Sequence, residues 1–507
     1  MKKIILAVGV VAVGVGTACA ETLSTPLLKT GPNRNATVLN VGFKRLGTLK
    51  TRTAAEIGPA NWTIDGAPMD RDFVEFDKYR DYLPALGVSK IRVLSGWAKS
   101  EKVKGKIDVS WLDHIVDWCR VHGIETVLEL SYGNPIYPGA GGAGLKSGMP
   151  NTPEGLAQWD RWVEYLGNHF KDRVREWAMW NEPDICKTNT AADIAAFNVR
   201  SAKILRRLMP KCRLHGLSLS RNSDKWMADC LEPMGEDVKL FDTFVYHGYA
   251  PNPDSSYEMV EKQRAVVKRL APHAELRQGE NGCSSQWLER FALRQIPWSE
   301  VSQAKWDMRR MLGDFGHDVE SGLFCFVDIN YQPPTFPVFY CNRKGYLMLN
   351  ASNDVIRVKR AYYAVQNTVA VFDGQIRRVK VNPQGICEDK TISFYEYRKQ
   401  GSPLMVFWQH GPVKPVKFAN MFLGGDTTAY ELDRLHAPGD SFETRGISIS
   451  WQGKPLVEPV WVDLMTGWVY ELPKELQIVH RCGVDFVEIP SYDSPCVLTE
   501  RAALDIE

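Results

Sequence analysis

Residues 90–131 contain a complete strand–helix–strand unit, which reads KIRVLS over 90–95, LDHIVDWC over 112–119 and ETVLELS over 125–131. The first and last segments are short β-type runs. The middle segment repeats its apolar residues at the i, i+3, i+4, i+7 spacing of a helix with one buried face. Those apolar residues are Leu112, Ile115, Val116 and Cys119. The stretch therefore predicts two strands joined by a helix that packs against them.

The same alternation extends in both directions, over residues 38–371. Eight β-type runs lie in this region, each followed by a helical pattern, and one helix is marked by the N-cap residue Thr152 and by Pro153. The runs are Val38–Phe43, Lys90–Ser95, Glu125–Ser131, Val174–Asn181, Arg213–Ser218, Thr243–His247, Glu275–Glu280 and Leu323–Ile329. Eight such units predict an α/β fold of the (β/α)8 TIM-barrel type. The alternative is a doubly wound open sheet, but no G-x-G-x-x-G follows the first run.

The sequence changes character after Gly374. Short runs rich in β-branched and aromatic residues are separated by turn residues, which predicts an all-β sandwich over residues 372–507. Those runs are Ile392–Tyr397, Leu404–Trp408, Ile447–Trp451, Val460–Leu464 and Cys496–Thr499. Residues 21–37 precede the barrel and are a candidate additional strand.

The first twenty residues have the pattern of a secretory signal peptide. Lys2 and Lys3 precede an apolar run, and Ala18-Cys19-Ala20 forms a small-residue cleavage site. Residues 1–20 are therefore expected to be removed, and the protein is expected to be secreted or periplasmic. No stretch of the mature chain approaches the ~20 apolar residues of a membrane span.

The charge balance excludes whole classes of partner. The chain has 62 basic and 60 acidic residues, and loss of the two signal-peptide lysines leaves it formally neutral. Such a chain has no field that would gather nucleic acid or anionic lipid, and neutrality agrees with a neutral sugar. The ten cysteines after Cys19 form no C-x-x-C pair, which argues against a structural metal. They are either small buried residues or partners in one or two disulfides.

Two glutamates occupy the positions where a barrel places its functional groups. Glu182 follows the fourth predicted strand and Glu280 ends the seventh, so both are expected at the carboxyl-terminal mouth of the barrel. Pro183 lacks a backbone N–H, so the chain leaves the sheet just after Glu182. One protonated and one ionised carboxyl group are what cleavage of a glycosidic bond requires.

The tetrapeptide Trp180-Asn181-Glu182-Pro183 resembles the strand-four signature of clan A glycoside hydrolases. This resemblance implies that Glu182 is the acid/base, Glu280 the nucleophile and Asn181 the residue that holds the sugar 2-hydroxyl. The length, the secretory signal and the order of barrel and sandwich are most similar to family 39, which contains β-xylosidases and α-L-iduronidases.

Three further residues follow from the resemblance. His247-Gly248-Tyr249 is similar to the clan's His-x-Tyr, whose members approach the nucleophile and the sugar. Arg92 is similar to the arginine that keeps the nucleophile ionised, since an opposite charge lowers a carboxylate pKa. A barrel-interior ion pair is an equal alternative for Arg92.

Aromatic residues in the predicted loops at the catalytic face are candidate platforms for a pyranose ring. Trp97 and Tyr331 are predicted to contact sugar, with Asn134 binding hydroxyl groups. Tyr132, Tyr137 and Trp287 lie in similar loops. Strand eight carries no tryptophan between Phe324 and Tyr331, unlike many clan members, which leaves the sugar open.

The sequence therefore predicts a retaining glycoside hydrolase that cleaves O-glycosidic bonds of plant- or host-type glycans by double displacement. An exo-acting β-glycosidase is the leading form, and an endo-acting β-glycanase or a non-catalytic carbohydrate-binding barrel are the alternatives. The expected partner is an oligo- or polysaccharide, with no metal and no cofactor. Nothing in the sequence indicates an oligomeric state.

Overall fold

A computed structural model describes residues 39–331, 340–410, 414–420, 425–431 and 442–507. The predicted signal peptide and the candidate strand over residues 21–37 lie outside these ranges. Eight parallel strands close into a barrel in chain order, so the predicted fold class is confirmed. From the first to the eighth, the barrel strands are Trp62–Asp65, Lys90–Leu94, Glu125–Glu129, Glu176–Ala178, Arg213–Leu219, Thr243–Tyr246, Glu275–Asn281 and Glu320–Leu323.

Amphipathic helices surround the barrel. The helix predicted after the second strand buries all four residues of its apolar stripe, and Thr152 caps the helix that follows by accepting a hydrogen bond from the Gly155 amide. In the described ranges, no helix combines the length and the hydropathy needed to cross a membrane. The helices are Ala54–Ile57, Phe76–Tyr79, Leu83–Leu86, Trp97–Ser100, Ser110–Val121, Pro153–Phe170, Ala191–Leu208, Asp224–Leu231, Tyr257–Leu270, Glu300–Gly316 and Arg360–Val371.

The first and eighth barrel strands differ from the prediction. The run Val38–Phe43 is not a barrel strand, because its described apolar residues pack in the core of the C-terminal sandwich instead. The first barrel strand is Trp62–Asp65, only four residues long and buried throughout. The eighth is Glu320–Leu323 and not Leu323–Ile329. Both true strands are shorter than the β-type runs nearby, so their hydrophobic pattern gives a weaker signal.

The C-terminal region forms two antiparallel sheets that face each other. The seven-stranded sheet contains, in spatial order, Arg45–Thr48, Trp468–Glu471, Pro459–Asp463, Cys496–Glu500, Ser402–Gln409, Ile392–Lys399 and Arg377–Arg378. The four-stranded sheet contains Gly385–Ile386, Arg445–Trp451, Gly483–Ser491 and Gln477–His480. Three hairpins pair Ile329–Tyr331 with Tyr340–Asn342, Leu347–Leu349 with Val355–Val358, and Lys414–Asn420 with Gly425–Glu431. The segment before the barrel thus supplies an edge strand to the sandwich behind it.

The central strands of the seven-stranded sheet are buried on both faces, and this joins the sandwich to the barrel. Along Ser402–Gln409, Leu404, Val406 and Trp408 belong to the core shared with the barrel. The alternate residues Met405 and Phe407 belong to the core between the two sheets. Successive side chains of a strand point to opposite faces, so a strand with both faces covered needs a continuous apolar run.

Trp408 is expected to be a major contributor to the stability of this junction. Its side chain is fully buried, and its indole Nε1 donates to Asp254 Oδ1 of the barrel at 2.9 Å. Trp408→Ala should lower the free energy of unfolding by about 3–5 kcal/mol, because it leaves a large cavity. Urea denaturation followed by circular dichroism measures this change. Trp287→Ala, at a residue that is 55% exposed, is the control and should change it by less than about 0.5 kcal/mol.

The ten cysteines from Cys119 to Cys496 are all free thiols. Most of them are buried, as small apolar residues are. Of the two readings that the sequence left open, the structure therefore favours the one without disulfides.

Candidate active site

A cleft of about 1100 Å³ opens at the carboxyl ends of the barrel strands. Most of the sequence-predicted site residues meet there, although they come from separate barrel strands and loops. The predicted residues that line it are Arg92, Asn181, Glu182, Tyr249, Glu280 and Tyr331. His247 lies directly beneath them and is fully buried. Tyr132, from the loop after the third strand, also lines the cleft.

Glu182 is held in an unusual backbone conformation. It has φ 46° and ψ 53°, in the left-handed region that non-glycine residues seldom adopt. Its amide donates to the Ser218 carbonyl at 3.0 Å, and its carbonyl accepts from the Ile185 amide at 3.2 Å. Such a conformation costs about 1–3 kcal/mol and persists only where the surroundings enforce it. Here it turns the carboxyl group into the cleft, 2.9 Å from His247 Nδ1.

Glu280 is held by two hydrogen bonds, one at each carboxylate oxygen. Arg92 Nη1 donates to Oε2 at 2.7 Å, and the Tyr249 hydroxyl donates to Oε1 at 2.8 Å. The preceding Gly279 allows this strand to approach its neighbour, because a Cβ there would collide with the Val245 side chain. The Glu280 carboxylate is therefore fixed from two sides.

The two glutamates face each other across His247. One carboxylate oxygen of each and a ring nitrogen of His247 all lie within 4.8 Å of one another. His247 Nδ1 is 3.7 Å from Glu280 Oε2, against 2.9 Å from Glu182 Oε1. The histidine thus touches the acid/base candidate and stands beside the nucleophile candidate.

The surroundings shift the pKa values of the two carboxyl groups in opposite directions. Burial and then the charge of Glu280 raise the pKa of Glu182, although the hydrogen bond to His247 opposes the rise. Burial also acts to raise the pKa of Glu280, but the charges of His247 and Arg92 outweigh it and lower that pKa. Two carboxyl groups with divergent pKa values can act as an acid and an anion at one pH.

Arg92 is shared among three carboxylates. Its Nη1 donates to Asp65 Oδ2 at 2.7 Å as well as to Glu280, while Nε and Nη2 donate to Glu129 at 2.9 and 3.0 Å. Its Nη2 also donates to Asn181 Oδ1 at 2.5 Å. Arg92 therefore fits both interpretations of its role. It forms buried ion pairs in the barrel interior, and it contacts the nucleophile candidate.

One of these carboxylates titrates near neutral pH. Burial raises the pKa of Asp65 to about 7, with Arg92 opposing the rise and the charge of Glu280 adding to it. A proton on Asp65 relieves the excess of negative charge around a single guanidinium. Arg92 then remains available to hold Glu280 ionised.

Two predicted substrate contacts are wrong. Trp97 is fully buried and stacks on Trp162, and its Nε1 donates to Glu101 at 2.7 Å. Asn134 is 1% exposed, and its amide donates to the Glu101 carbonyl. The short helix Trp97–Ser100 directs its tryptophan inward, toward the surrounding helices, so both residues support the barrel wall around Glu101. Tyr137 belongs to the same buried cluster.

Sequence reasoning missed several residues of the cleft. Asp65 ends the first barrel strand and Arg71 lies in the loop after it, so both were hidden when that strand was assigned to residues 38–43. Glu129 does not line the cleft but binds Arg92 beneath it, and its place at the end of the third strand could have revealed it. Lys344 gave no such signal, because it follows a hairpin beyond the eighth strand. Its Nζ donates to the Gly282 carbonyl at 2.7 Å, and burial lowers its pKa to about 8.

Glu182, His247 and Glu280 are close enough together to bind a cation. Both oxygens of Glu280 are already used by Arg92 and Tyr249, however. A guanidinium 2.7 Å from Glu280 also disfavours a second cation at that carboxylate. The cluster is therefore better suited to proton transfer than to metal binding.

No protein-family model and no curated protein matches the sequence. Solved structures resemble it, among them a family 39 glycoside hydrolase from the gut symbiont Bacteroides cellulosilyticus WH2, with a TM-score of 0.60 and 16% identity over 88% of this chain and 82% of that chain. The GH39 enzyme of Xanthomonas axonopodis pv. citri has a TM-score of 0.55 and 14% identity, covering 89% of this chain and 95% of that one. A monomeric β-xylosidase from Caulobacter crescentus CB15 has a TM-score of 0.53 and 14% identity, covering 90% and 97%. Structures of clan A enzymes thus share the fold, as the strand-four motif predicted.

Proposed function

We propose that this protein is a retaining glycoside hydrolase in which Glu280 is the nucleophile and Glu182 the acid/base. The observation that carries the proposal is the pair of buried carboxyl groups at the mouth of the barrel whose pKa values are shifted apart. Its fold neighbours are glycoside hydrolases, in agreement with the proposal.

The chemistry proceeds in two displacements. Glu280 attacks the anomeric carbon and forms a glycosyl ester, while Glu182 gives its proton to the leaving oxygen and the glycosidic bond breaks. Glu182, now ionised, takes a proton from water, and that water attacks the same carbon. The ester bond then breaks, and both glutamates return to their starting states.

The spacing of the two carboxyl groups supports retention over inversion. Retaining enzymes place the two groups about 5–5.5 Å apart, and inverting enzymes about 6.5–9.5 Å apart, to leave room for a water molecule. Oxygens of Glu182 and Glu280 lie within 4.8 Å of each other. This spacing is closer to the retaining range than to the inverting range.

The stereochemistry of the product tests this mechanism. A panel of nitrophenyl glycosides is screened for hydrolysis, and the best substrate is then followed by proton NMR from the first turnovers. We expect the first sugar released to keep the anomeric configuration of the substrate. Release of the opposite anomer would contradict the retaining mechanism, and glycan binding without any hydrolysis would favour a carbohydrate-binding barrel.

Exo action is the form that we propose. Loops after most of the barrel strands line the cleft, so their conformation decides how many sugar units can bind in it. Residues from these loops include Phe73, Lys146, Asn222, Arg290 and Phe324. An exo-acting enzyme releases monosaccharides from the start of an oligosaccharide digest, whereas an endo-acting enzyme releases mixed oligomers.

A further inference from the structure

Arg71 places a positive charge in the cleft that the proposed chemistry does not use. It lies in the loop after the first barrel strand and lines the cleft. Its Nε is 3.1 Å from Asp70 Oδ2, and its guanidinium lies 5.0 Å from the ring centre of Tyr132. The Tyr132 hydroxyl accepts a hydrogen bond at 2.6 Å from Asn181, the residue before Glu182. The Tyr132 ring therefore lies between Arg71 and Asn181.

The far end of the Arg71 guanidinium is available to a ligand. The Asp70 carboxylate accepts a hydrogen bond from Arg71 Nε. No described residue accepts one from the two terminal nitrogens, Nη1 and Nη2. Only 16% of the side chain is exposed, so water hydrates this charge incompletely. A planar guanidinium held by one carboxylate and one aromatic ring is suited to bind a second oxyanion through paired hydrogen bonds.

The mouth of the cleft is basic as well. Four exposed basic residues line it, whereas its acidic lining residues, Asp65, Glu182 and Glu280, are all near-buried on the floor. The exposed basic residues are Lys146, Arg221, Arg290 and Arg294, and of these Arg221 forms an ion pair with the buried Asp184 at 3.4 Å. The whole chain has a net charge of only +2, so composition does not explain this local excess. Exposed charges of one sign at the mouth of a cleft attract ligands of the opposite sign.

We infer that the substrate is an anionic glycan, in which a carboxylate or a sulfate on the sugar binds the Arg71 guanidinium. This inference rests on the proposed glycosidase function and differs from the neutral sugar that the charge balance suggested. Net charge is a sum over the whole surface, whereas recognition depends on the few charges inside the cleft.

Matched pairs of substrates test the inference. Aryl β-glucuronide and aryl β-xyloside differ only by the carboxylate on C5, and aryl β-glucoside 6-sulfate differs from aryl β-glucoside only by the sulfate. The charged member of at least one pair should have the higher kcat/KM, by about 10–100-fold. The pair that shows the difference identifies carboxylate or sulfate as the anion. A preference for the neutral member in both pairs would overturn the inference.

Variants connect the preference to Arg71. Arg71→Gln should reduce the charged-to-neutral ratio of kcat/KM by about tenfold or more, and Arg71→Lys should restore part of it. Arg45→Gln is the control, because Arg45 also lies over an aromatic ring, that of Trp468, but in the sandwich. An unchanged ratio in Arg71→Gln would contradict the role of Arg71.

A binding measurement keeps the two proposals separate. Calorimetry compares glucuronic acid with xylose, and glucose 6-sulfate with glucose, on the wild-type protein. Tighter binding of an anionic sugar without hydrolysis of any glycoside would contradict the glycosidase function and support the anionic site. Hydrolysis without any anionic preference would support the function and contradict the site.

Discussion

Glu280→Gln is expected to lower kcat/KM on an aryl glycoside by at least about 10⁴-fold, as loss of a nucleophile does elsewhere. The amide fills the same space but cannot form the glycosyl ester. The hydrogen bond from Tyr249 can still be made to the amide oxygen, so the fold should survive. Initial rates on the best nitrophenyl glycoside measure the loss, and thermal denaturation reports the fold.

Glu275→Gln is the matched control for this variant. Glu275 begins the same strand at the opposite end of the barrel, and its side chain is 73% exposed. It should retain wild-type activity, since an exposed side chain at that end touches none of the cleft. Undiminished turnover by Glu280→Gln itself would contradict the assignment of the nucleophile.

Glu182→Gln should produce a loss that depends on the leaving group. A glycoside with a poor leaving group needs protonation of its oxygen, so its hydrolysis should slow by about 10²–10⁴-fold. A dinitrophenyl glycoside leaves without that proton, so the first displacement should continue. The second displacement lacks its base, and a burst of one dinitrophenol per enzyme should follow. Stopped-flow absorbance measures the burst.

The pH profile gives a second readout for Glu182. Burial and the charge of Glu280 raise the pKa of Glu182, so the wild-type alkaline limb should follow loss of its proton at a pH above the ordinary range of a glutamate. The lowered pKa of Glu280 places the acid limb below that range. Glu182→Gln should abolish the alkaline limb. Glu125→Gln, at an exposed position at the opposite end of the third strand, should keep both limbs, and an alkaline limb that survives in Glu182→Gln would assign the acid to another group.

Glu182 and Glu280 were predictable because their positions follow from strand order alone. Once the fourth and seventh strands are recognised, the rule that functional groups lie at strand ends selects both residues. Arg92, His247 and Tyr249 needed the resemblance as well, because single residues of these types are common at strand ends. Their contacts with the two glutamates depend on rotamers and distances that a sequence does not encode explicitly.

The sequence-based prediction missed Asp65 and Arg71 because it misplaced the first barrel strand. The first barrel strand is four residues long, and a run near residue 40 had the stronger pattern, so the end of the true strand was never searched. The prediction that Trp97 contacts sugar was wrong for a different reason. Trp97 lies after a correctly assigned strand, but the helix that begins there turns its side chain away from the cleft.

By itself the sequence determined the barrel, the sandwich and the two glutamates, because these depend on periodicity and on chain order, which are local properties. Tertiary structure alone decided how the groups act on one another. Arg92 is shared by three carboxylates from three strands, and their pKa values follow from that burial and proximity. The basic cleft is also a tertiary feature, since Arg71, Arg221 and Arg290 come from three loops of a chain with almost no net charge.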